Sequence, residues 1–301
     1  MVAPAEPDAR ALDRPRFVRT DDGLDLALYD LGGDGPDLLL VHATGFCAGV
    51  WAPVAERLAG FRVAALDVRG HGRSSAPDLD RPPGMSWAGT GRDVLTAVES
   101  LGLTDPLGAG HSMGGASLLI AELDAPGTFR SLWAYEPIVF PTAIAAEASV
   151  SNPLAEGARR RRASFPSARA AFDNYASKPP FDALDPDGLW AYVHHGFAEQ
   201  PDGSVTLRCR PEVEAATFEM GPRHGTFERL GEVSIPMTVV RGVDVVGPAS
   251  FAPIIASALP HGRLEDHPDL GHFGPLEDPA RIAASIAATF GGDEQCRTEN
   301  V

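Results

Sequence analysis

The sequence predicts an α/β fold with a mostly parallel sheet flanked by helices. Two apolar runs, residues 38–42 and 63–67, have the length and hydrophobicity of strands that are buried on both faces. Helical patterns follow at residues 87–101 and 115–123, and strands that alternate with helices imply parallel pairing. Ligands of such sheets bind beyond the carboxyl ends of the strands, so functional residues are expected at that edge.

The remaining elements each have their own signal. Residues 17–20 and 24–31 flank an Asp-Asp-Gly turn and are typical of an opening pair of strands. Later strands are predicted at residues 106–109, 236–242 and 263–266. Amphipathic patterns predict three further helices, at residues 50–59, 250–259 and 279–290.

The most informative motif is Gly110-His111-Ser112-Met113-Gly114, which fits the pattern G-x-S-x-G. A predicted strand precedes it and a predicted helix follows it, so Ser112 is placed in a tight turn with its hydroxyl above the sheet edge. The glycines leave room for the neighbouring backbone. The same turn aims the backbone N–H of Met113 at the position where an oxyanion would form, so Ser112 is the candidate nucleophile.

A histidine late in the chain is the candidate base. His272 lies in a loop between the last predicted strand and the final helix, with Gly271 and Gly274 beside it. The order nucleophile, acid, histidine is the one expected with this type of serine turn. No spacing among the other histidines and the three cysteines resembles a zinc site, so neither a metal nor a cofactor is expected.

These motifs resemble those of the α/β-hydrolase superfamily. Residues 41–46 are similar to its oxyanion loop, although Ala43 stands where His-Gly is commoner, and residues 67–75 are similar to its D-x-R-G-x-G-x-S loop. The resemblance covers most of the chain and implies the α/β-hydrolase fold. It also implies that Thr44 supplies a second oxyanion N–H, with Phe46 as the alternative, and that residues 67–75 are mainly structural.

The acid that would orient His272 has two candidates. Asp244 follows the strand at residues 236–242, about where the superfamily most often carries its carboxylate, but it is one residue closer to Gly242 than usual. Glu136 ends the preceding strand, where some members, including certain dehalogenases, place the acid. Because adjacent strand ends lie roughly 5 Å apart, either residue could reach the histidine. We favour Asp244 and keep Glu136 as the alternative.

The resemblance also organises the chain into parts. We expect a disordered lead-in at residues 1–15, a core formed by residues 16–136 and 234–291, and a flexible tail at residues 292–301. Between them, residues 137–233 lose the strand–helix alternation and are expected to form a helical cap that shapes the pocket. The candidate pocket residues, from the core and the cap, are His42, Phe46, Cys47, His111, Glu136, Phe140 and Trp190.

Composition limits the partners. A net charge of −16 and a pI near 4.9 argue against nucleic acid as a partner, and no apolar run is long enough to span a bilayer. Three widely spaced cysteines and the lack of a signal peptide predict a cytoplasmic protein without disulfides. The run Arg159-Arg160-Arg161-Arg162 is interpreted as a solvated helix face. The expected partner is a small-molecule substrate, and a homodimer is left open.

The leading hypothesis is a serine hydrolase that cleaves a small ester, thioester or lactone through an acyl-enzyme. Carbon–carbon bond hydrolysis and cofactor-free haloperoxidase or perhydrolase activity use the same three groups and remain alternatives. A different class, a non-catalytic binding protein on a hydrolase scaffold, is disfavoured because both a nucleophile and a base are present. Fold alone does not identify the substrate.

Overall fold

The structure, a computed structural model, describes residues 7–143, 152–221, 224–243 and 247–298, with residues 292–298 described by their backbone alone. In these ranges the strands are β1 (Arg16–Arg19), β2 (Asp25–Gly32), β3 (Asp37–Val41), β4 (Arg62–Leu66), β5 (Leu107–His111), β6 (Ser131–Tyr135), β7 (Ser164–Phe165), β8 (Phe197–Glu199), β9 (Val205–Leu207), β10 (Met237–Arg241) and β11 (Gly262–Asp266). The α-helices are α1 (Ala52–Ala55), α2 (Trp87–Ser100), α3 (Met113–Asp124), α4 (Pro153–Arg159), α5 (Ala168–Ala176), α6 (Pro186–Gly196), α7 (Pro211–Met220), α8 (Pro248–Ala258), α9 (Gly274–Glu277) and α10 (Pro279–Thr298).

Eight strands form one central sheet in the order β1-β2-β4-β3-β5-β6-β10-β11. The pairs β1–β2 and β2–β4 are antiparallel, and every later pair is parallel. This arrangement confirms the predicted fold class. Parallel pairing brings the carboxyl ends of β3, β5, β6, β10 and β11 to one edge, which is where the candidate functional residues follow in sequence.

The central strands of the sheet, β3 to β6, are buried on both faces, as the unbroken apolar runs predict. Along β3, Leu38 and Leu40 belong to a hydrophobic cluster with residues of α1 and α10. Their neighbours Leu39 and Val41 belong to a second cluster with residues of α2, α3 and α8. Successive strand side chains point to opposite faces, so one strand contributes to both layers of the core.

Both ends of the chain differ from expectation. The expected disordered lead-in contains a short 3-10 helix, Ala9–Asp13, whose Leu12 is only 1% exposed in the core. The backbone N–H of Asp8 also donates to the Leu31 carbonyl at 2.7 Å. Burial of one leucine therefore orders this segment from residue 8 onward. At the other end, α10 continues through the two glycines Gly291 and Gly292 to Thr298, past the start of the expected tail.

The segment expected to be a helical cap, residues 137–233, contains helices and a small sheet. Strands β7, β9 and β8 form an antiparallel sheet, in that order. The hairpin between β8 and β9 closes with the N–H of Gln200 on the Ser204 carbonyl at 2.8 Å, and Gly203 there has φ +81°. Helix α4 ends at Arg159, the first of the four consecutive arginines, and β7 follows. Within the described ranges, none of the helices combines the length and hydrophobicity that crossing a bilayer requires.

Candidate active site

Ser112 occupies the tight turn between β5 and α3 that the motif predicts. Its φ of 55° and ψ of −112° are rarely adopted by non-glycine residues, and strain of this kind recurs at functional sites. The turn needs glycine on both sides: a Cβ on Gly110 would lie 2.6 Å from the Gly115 nitrogen, and one on Gly114 would lie 2.1 Å from the Val41 carbonyl oxygen. The backbone therefore holds the Ser112 side chain at the carboxyl edge of the sheet.

His272 lies in the loop after β11, and its partner is Glu136. The distance between His272 Nδ1 and Glu136 Oε2 is 2.6 Å. The other carboxylate oxygen, Oε1, accepts the backbone N–H of Gly242 at 2.9 Å. Glu136 is fully buried, directly follows β6 and has φ 45°. A buried carboxylate on Nδ1 leaves the Nε2 of His272 to exchange a proton with a nucleophile.

This arrangement favours Glu136 as the acid. Glu136 holds the acceptor position on His272 Nδ1, while Asp244, the acid predicted from the sequence, lies outside the described residues. The Glu136 side chain crosses the end of β10, the strand between β6 and β11. Gly242 also lets the loop that carries His272 pack closely on the end of β10, because a Cβ there would lie only 2.2 Å from the Leu270 carbonyl oxygen and 2.8 Å from Tyr135 Oη.

Two neighbours of these residues cross-link the loop that carries His272. The Nε2 of His111 donates to the His272 carbonyl at 2.8 Å, and the hydroxyl of Tyr135 donates to the Gly271 carbonyl at 2.8 Å. Burial, and then the charge of His272, hold the pKa of His111 well below its ordinary value, so His111 is neutral. His111 is among the pocket residues predicted from the sequence, whereas Tyr135 is not. Each directly precedes a site residue, and that position is the signal that could have identified Tyr135.

The oxyanion loop and α3 meet at the same edge. Met113 begins α3, so its N–H has no partner within the helix. In the described part of the chain no acceptor contacts the N–H of Met113 or of Thr44, whereas the N–H of Phe46 donates to the Ala43 carbonyl at 3.2 Å. The close contact between Gly114 and Val41 brings the start of α3 against the end of β3. This geometry favours Met113 and Thr44 over Phe46 as oxyanion donors.

The loop at residues 67–75 makes structural contacts. The buried carboxylate of Asp67 accepts from the N–H of Ala48 at 2.7 Å, the hydroxyl of Tyr29 at 2.7 Å and the N–H of Arg73 at 2.8 Å. Arg69 is buried and pairs with buried Asp93 at 2.7 Å. These bonds tie the loop to β2, to the segment after the oxyanion loop and to α2.

His42, a candidate pocket residue, joins two loops. It is fully buried, its Nδ1 donates to the Ala43 carbonyl at 2.8 Å, and its Nε2 accepts the N–H of Val68 at 3.0 Å. Burial lowers the pKa of His42 to about 4. His71, whose ring centroid is 5.3 Å from that of His42, has its pKa lowered to about 3, again mainly by burial.

We therefore expect stability to fall in mild acid. Both histidines bind protons more weakly in the folded state than in the unfolded chain, whose histidine pKa is about 6.5. Each histidine therefore lowers the free energy of unfolding by up to about 1.4 kcal/mol per pH unit as the pH falls from about 6.5 towards the pKa of that histidine in the folded protein. Urea denaturation of the wild type and of His42→Gln at pH 7 and pH 5 measures this loss of stability. Glutamine does not titrate, so the variant should lose less stability between the two pH values; an equal loss would contradict the assignment.

The other candidate pocket residues separate into two groups. Phe46 packs with its ring centroid 5.0 Å from Tyr192, and 5.7 Å from Phe273, the residue after His272. Cys47 is buried among core residues, and burial raises the pKa of its thiol. Phe140 contacts Phe251 of α8 at 4.5 Å between centroids, and Trp190 stacks on Phe172 within residues 137–233 at 4.2 Å. Phe46 thus lies beside the site, while Cys47 and Trp190 contribute to packing.

Residues 137–233 pack on the edge that carries Ser112. A Cβ on Gly45 would lie 2.6 Å from Glu214 Oε1, and one on Gly70 would lie 2.5 Å from Val213 Cγ1, both on α7. Two clefts of about 420 and 430 Å³ lie on the flank of α7, share Met85 and Met220, and are lined by neither Ser112 nor His272. Across the described ranges, no group of three or more His, Cys, Asp or Glu side chains could hold a metal ion.

Comparison with known proteins agrees with this geometry. The model of the alpha/beta hydrolase family matches residues 38–285. The chain is 26% identical over 235 residues to a (lyso)-N-acylphosphatidylethanolamine lipase of Bos taurus, a match that covers 70% of this chain and 66% of the lipase. It is 26% identical over 274 residues to a non-heme chloroperoxidase of Streptomyces lividans, which covers 84% of this chain and 95% of that protein. The solved structure of E-2-(acetamidomethylene)succinate hydrolase matches with a TM-score of 0.71 and 21% identity, over 91% of this chain and 98% of that one.

The family model spans most of the chain, and the strained serine turn and the late histidine both lie within the matched residues. The resemblance stated from the motifs is therefore confirmed. The chain belongs to the alpha/beta hydrolase family.

Proposed function

We propose that the protein is a serine hydrolase that cleaves a small carboxylic ester, thioester or lactone through an acyl-enzyme. The observation that carries the proposal is the contact of 2.6 Å between His272 and buried Glu136, at the same sheet edge as the strained Ser112. A non-catalytic binding protein would have no need of a buried carboxylate that fixes the tautomer of a histidine.

In the proposed reaction the Ser112 hydroxyl attacks the substrate carbonyl while His272 Nε2 takes its proton. The carbonyl electron pair moves to oxygen, where the N–H groups of Met113 and Thr44 stabilise the charge. The tetrahedral intermediate collapses, the bond to the leaving group breaks, and His272 returns the proton to that group. Water then repeats the sequence on the acyl-enzyme and regenerates Ser112. Glu136 holds the ring and stabilises the imidazolium form of His272.

The surroundings support an apolar group next to the reacting carbonyl. Phe46, Phe181, Tyr192 and Phe273 form a continuous aromatic cluster beside the oxyanion loop, with ring centroids 5.0 to 6.2 Å apart. The similarity to a lipase also supports ester cleavage. A small-molecule substrate is therefore proposed as the partner.

The direct test is covalent labelling combined with a substrate panel. An organophosphonate should modify the wild-type protein once, on Ser112, as read by peptide mass spectrometry. A series of p-nitrophenyl esters, thioesters and lactones of increasing chain length then identifies the preferred bond and acyl length. Labelling at another residue, or no turnover of any substrate in the panel, would contradict the proposal.

A perhydrolase activity on the same groups is a second candidate, because the match with a non-heme chloroperoxidase covers 95% of that relative. In that reaction hydrogen peroxide replaces water in attacking the acyl-enzyme, and the product is a peracid. Adding peroxide to the ester assay and measuring peracid against free acid distinguishes the two. Free acid as the sole product would eliminate this candidate.

We also propose a cytosolic location. Cys47 and Cys209 are buried free thiols, which is usual for proteins of a reducing compartment. Fractionation of producing cells tests this, and recovery of the protein from membranes or the culture medium would contradict it.

A further inference from the structure

The run of four arginines contains one member, Arg161, that is mostly shielded from solvent rather than solvated. Its Nη1 donates to Glu214 Oε2 at 2.5 Å, and its Nη2 donates to the hydroxyl of Tyr175 at 3.0 Å and to that of Tyr192. The Arg161 side chain is 18% exposed and that of Glu214 is 7% exposed. These four residues, which we call the Arg161 cluster, join the turn after α4 to α5, α6 and α7.

The Arg161 cluster rests directly on the oxyanion loop. Gly45 has φ +80°, and a Cβ on it would lie 2.6 Å from Glu214 Oε1 and 3.3 Å from Arg161 Nη1. Gly45 is the residue between Thr44 and Phe46, and the Phe46 ring packs edge-on against Tyr192. The cluster thus contacts the two loop residues that directly follow Thr44.

Electrostatics keep the cluster charged and in one geometry. Burial alone would lower the pKa of Arg161, but Tyr192, Glu214 and Tyr175 raise it well above its ordinary value. A buried ion pair contributes little net stability compared with an apolar pair of the same volume, yet it fixes the relative position of its partners when every group is bonded. The cluster therefore holds the helices α5, α6 and α7 in a defined position against Gly45.

We infer that Arg161 and Glu214 are positioning residues for the oxyanion loop, and that they act on the transition state through Thr44. This inference rests on the proposed function. The oxyanion contact forms fully only when the carbonyl becomes tetrahedral, so a displaced Thr44 N–H should lower kcat more than it changes KM.

The test replaces the buried pair by apolar residues of similar size, in R161M/E214L. The chain offers a matched control on the same two segments: Arg159 and Glu219 pair at 2.5 Å, but they are 48% and 47% exposed. The control is therefore R159M/E219L. Kinetics with a p-nitrophenyl ester give kcat and KM, and thermal melting reports folding. The conservative variants R161K and E214Q are measured in parallel.

For R161M/E214L we expect a fall of about 100-fold in kcat, the size of effect that follows from misplacing a catalytic group by about 1 Å. KM should stay within about threefold, and R159M/E219L should match the wild type. The kcat of R161K should lie between those of R161M/E214L and the wild type. Lysine keeps the charge, but it lacks the planar guanidinium fork that bonds the carboxylate and both hydroxyls.

A folded R161M/E214L with wild-type kcat, or a loss confined to KM, would overturn the inference while the serine hydrolase proposal stands. If R161M/E214L does not fold, the kcat and KM of E214Q provide the same test, because this variant keeps the shape of the Glu214 side chain and removes its charge. A wild-type protein that turns over no ester and takes no label on Ser112 would instead refute the proposed function.

Discussion

Replacing Ser112 with alanine is expected to lower kcat for ester hydrolysis about 10⁶-fold while leaving the protein folded. The Ser112 side chain is held by a strained turn that its glycine neighbours make feasible, and its hydroxyl makes no hydrogen bond with the described residues. Loss of the nucleophile leaves only binding and oxyanion stabilisation, which account for the residual rate. Steady-state kinetics with the preferred ester of the panel, together with far-ultraviolet circular dichroism, measure both outcomes.

The chain offers a matched control for this change. Ser117 is buried on α3, the helix that follows Ser112, and its Oγ donates to the Met113 carbonyl at 2.8 Å. Ser117→Ala removes the same kind of atom from a buried serine that takes no part in the proposed chemistry, so the variant should keep most of the activity. A Ser112→Ala protein with a tenth of the wild-type rate would contradict the serine hydrolase proposal.

The sequence was sufficient for the sheet and for two of the three central residues. Ser112 and His272 are predictable because each lies in a local pattern, a serine between paired glycines and a histidine in a glycine-rich loop. Buried strands such as β3 are predictable because both faces must be apolar. These signals are local, and local signals are what a single sequence contains.

The acid was harder because its position depends on contacts between strands. Glu136 and Asp244 follow neighbouring strands, so spacing along the chain did not separate them. Two features favour Glu136: its positive φ, and the bond between its Oε1 and the Gly242 N–H at the end of β10. Neither feature has a sequence pattern of its own.

The Arg161 cluster illustrates the same difficulty. Four consecutive arginines are typical of a solvated surface, and Arg159 and Arg160 do pair on the surface with Glu219 and Glu156. Arg161 differs because the chain turns after α4 and directs it towards Tyr192 and Glu214, which are 31 and 53 residues further along. Charge patterning cannot reveal a tertiary contact of that kind.

The second large effect is expected from Glu136→Gln, which should lower kcat by about 10⁴-fold, as the equivalent change does in a serine protease triad. The N–H of Gly242 donates to Oε1 of Glu136, so in the variant the amide oxygen should take that position and the NH₂ group should face His272. An NH₂ group can only donate, which would force the proton of His272 from Nδ1 to Nε2. In that tautomer Nε2 cannot accept the Ser112 proton, so catalysis fails although the geometry is preserved.

Asp244→Asn is the comparison that makes this prediction discriminating. If Glu136 is the acid, Asp244→Asn should keep kcat within about threefold of the wild type, because it changes no bond to His272. Both variants are measured with the same ester, and phosphonate labelling rates report the reactivity of Ser112 independently of product release. A severe Asp244→Asn beside a mild Glu136→Gln would reverse the assignment, because the carboxylate that sets the tautomer would then be the one that follows β10. Equal and mild effects would show that neither carboxylate sets the tautomer, and the proposed mechanism would lose the acid that orients His272.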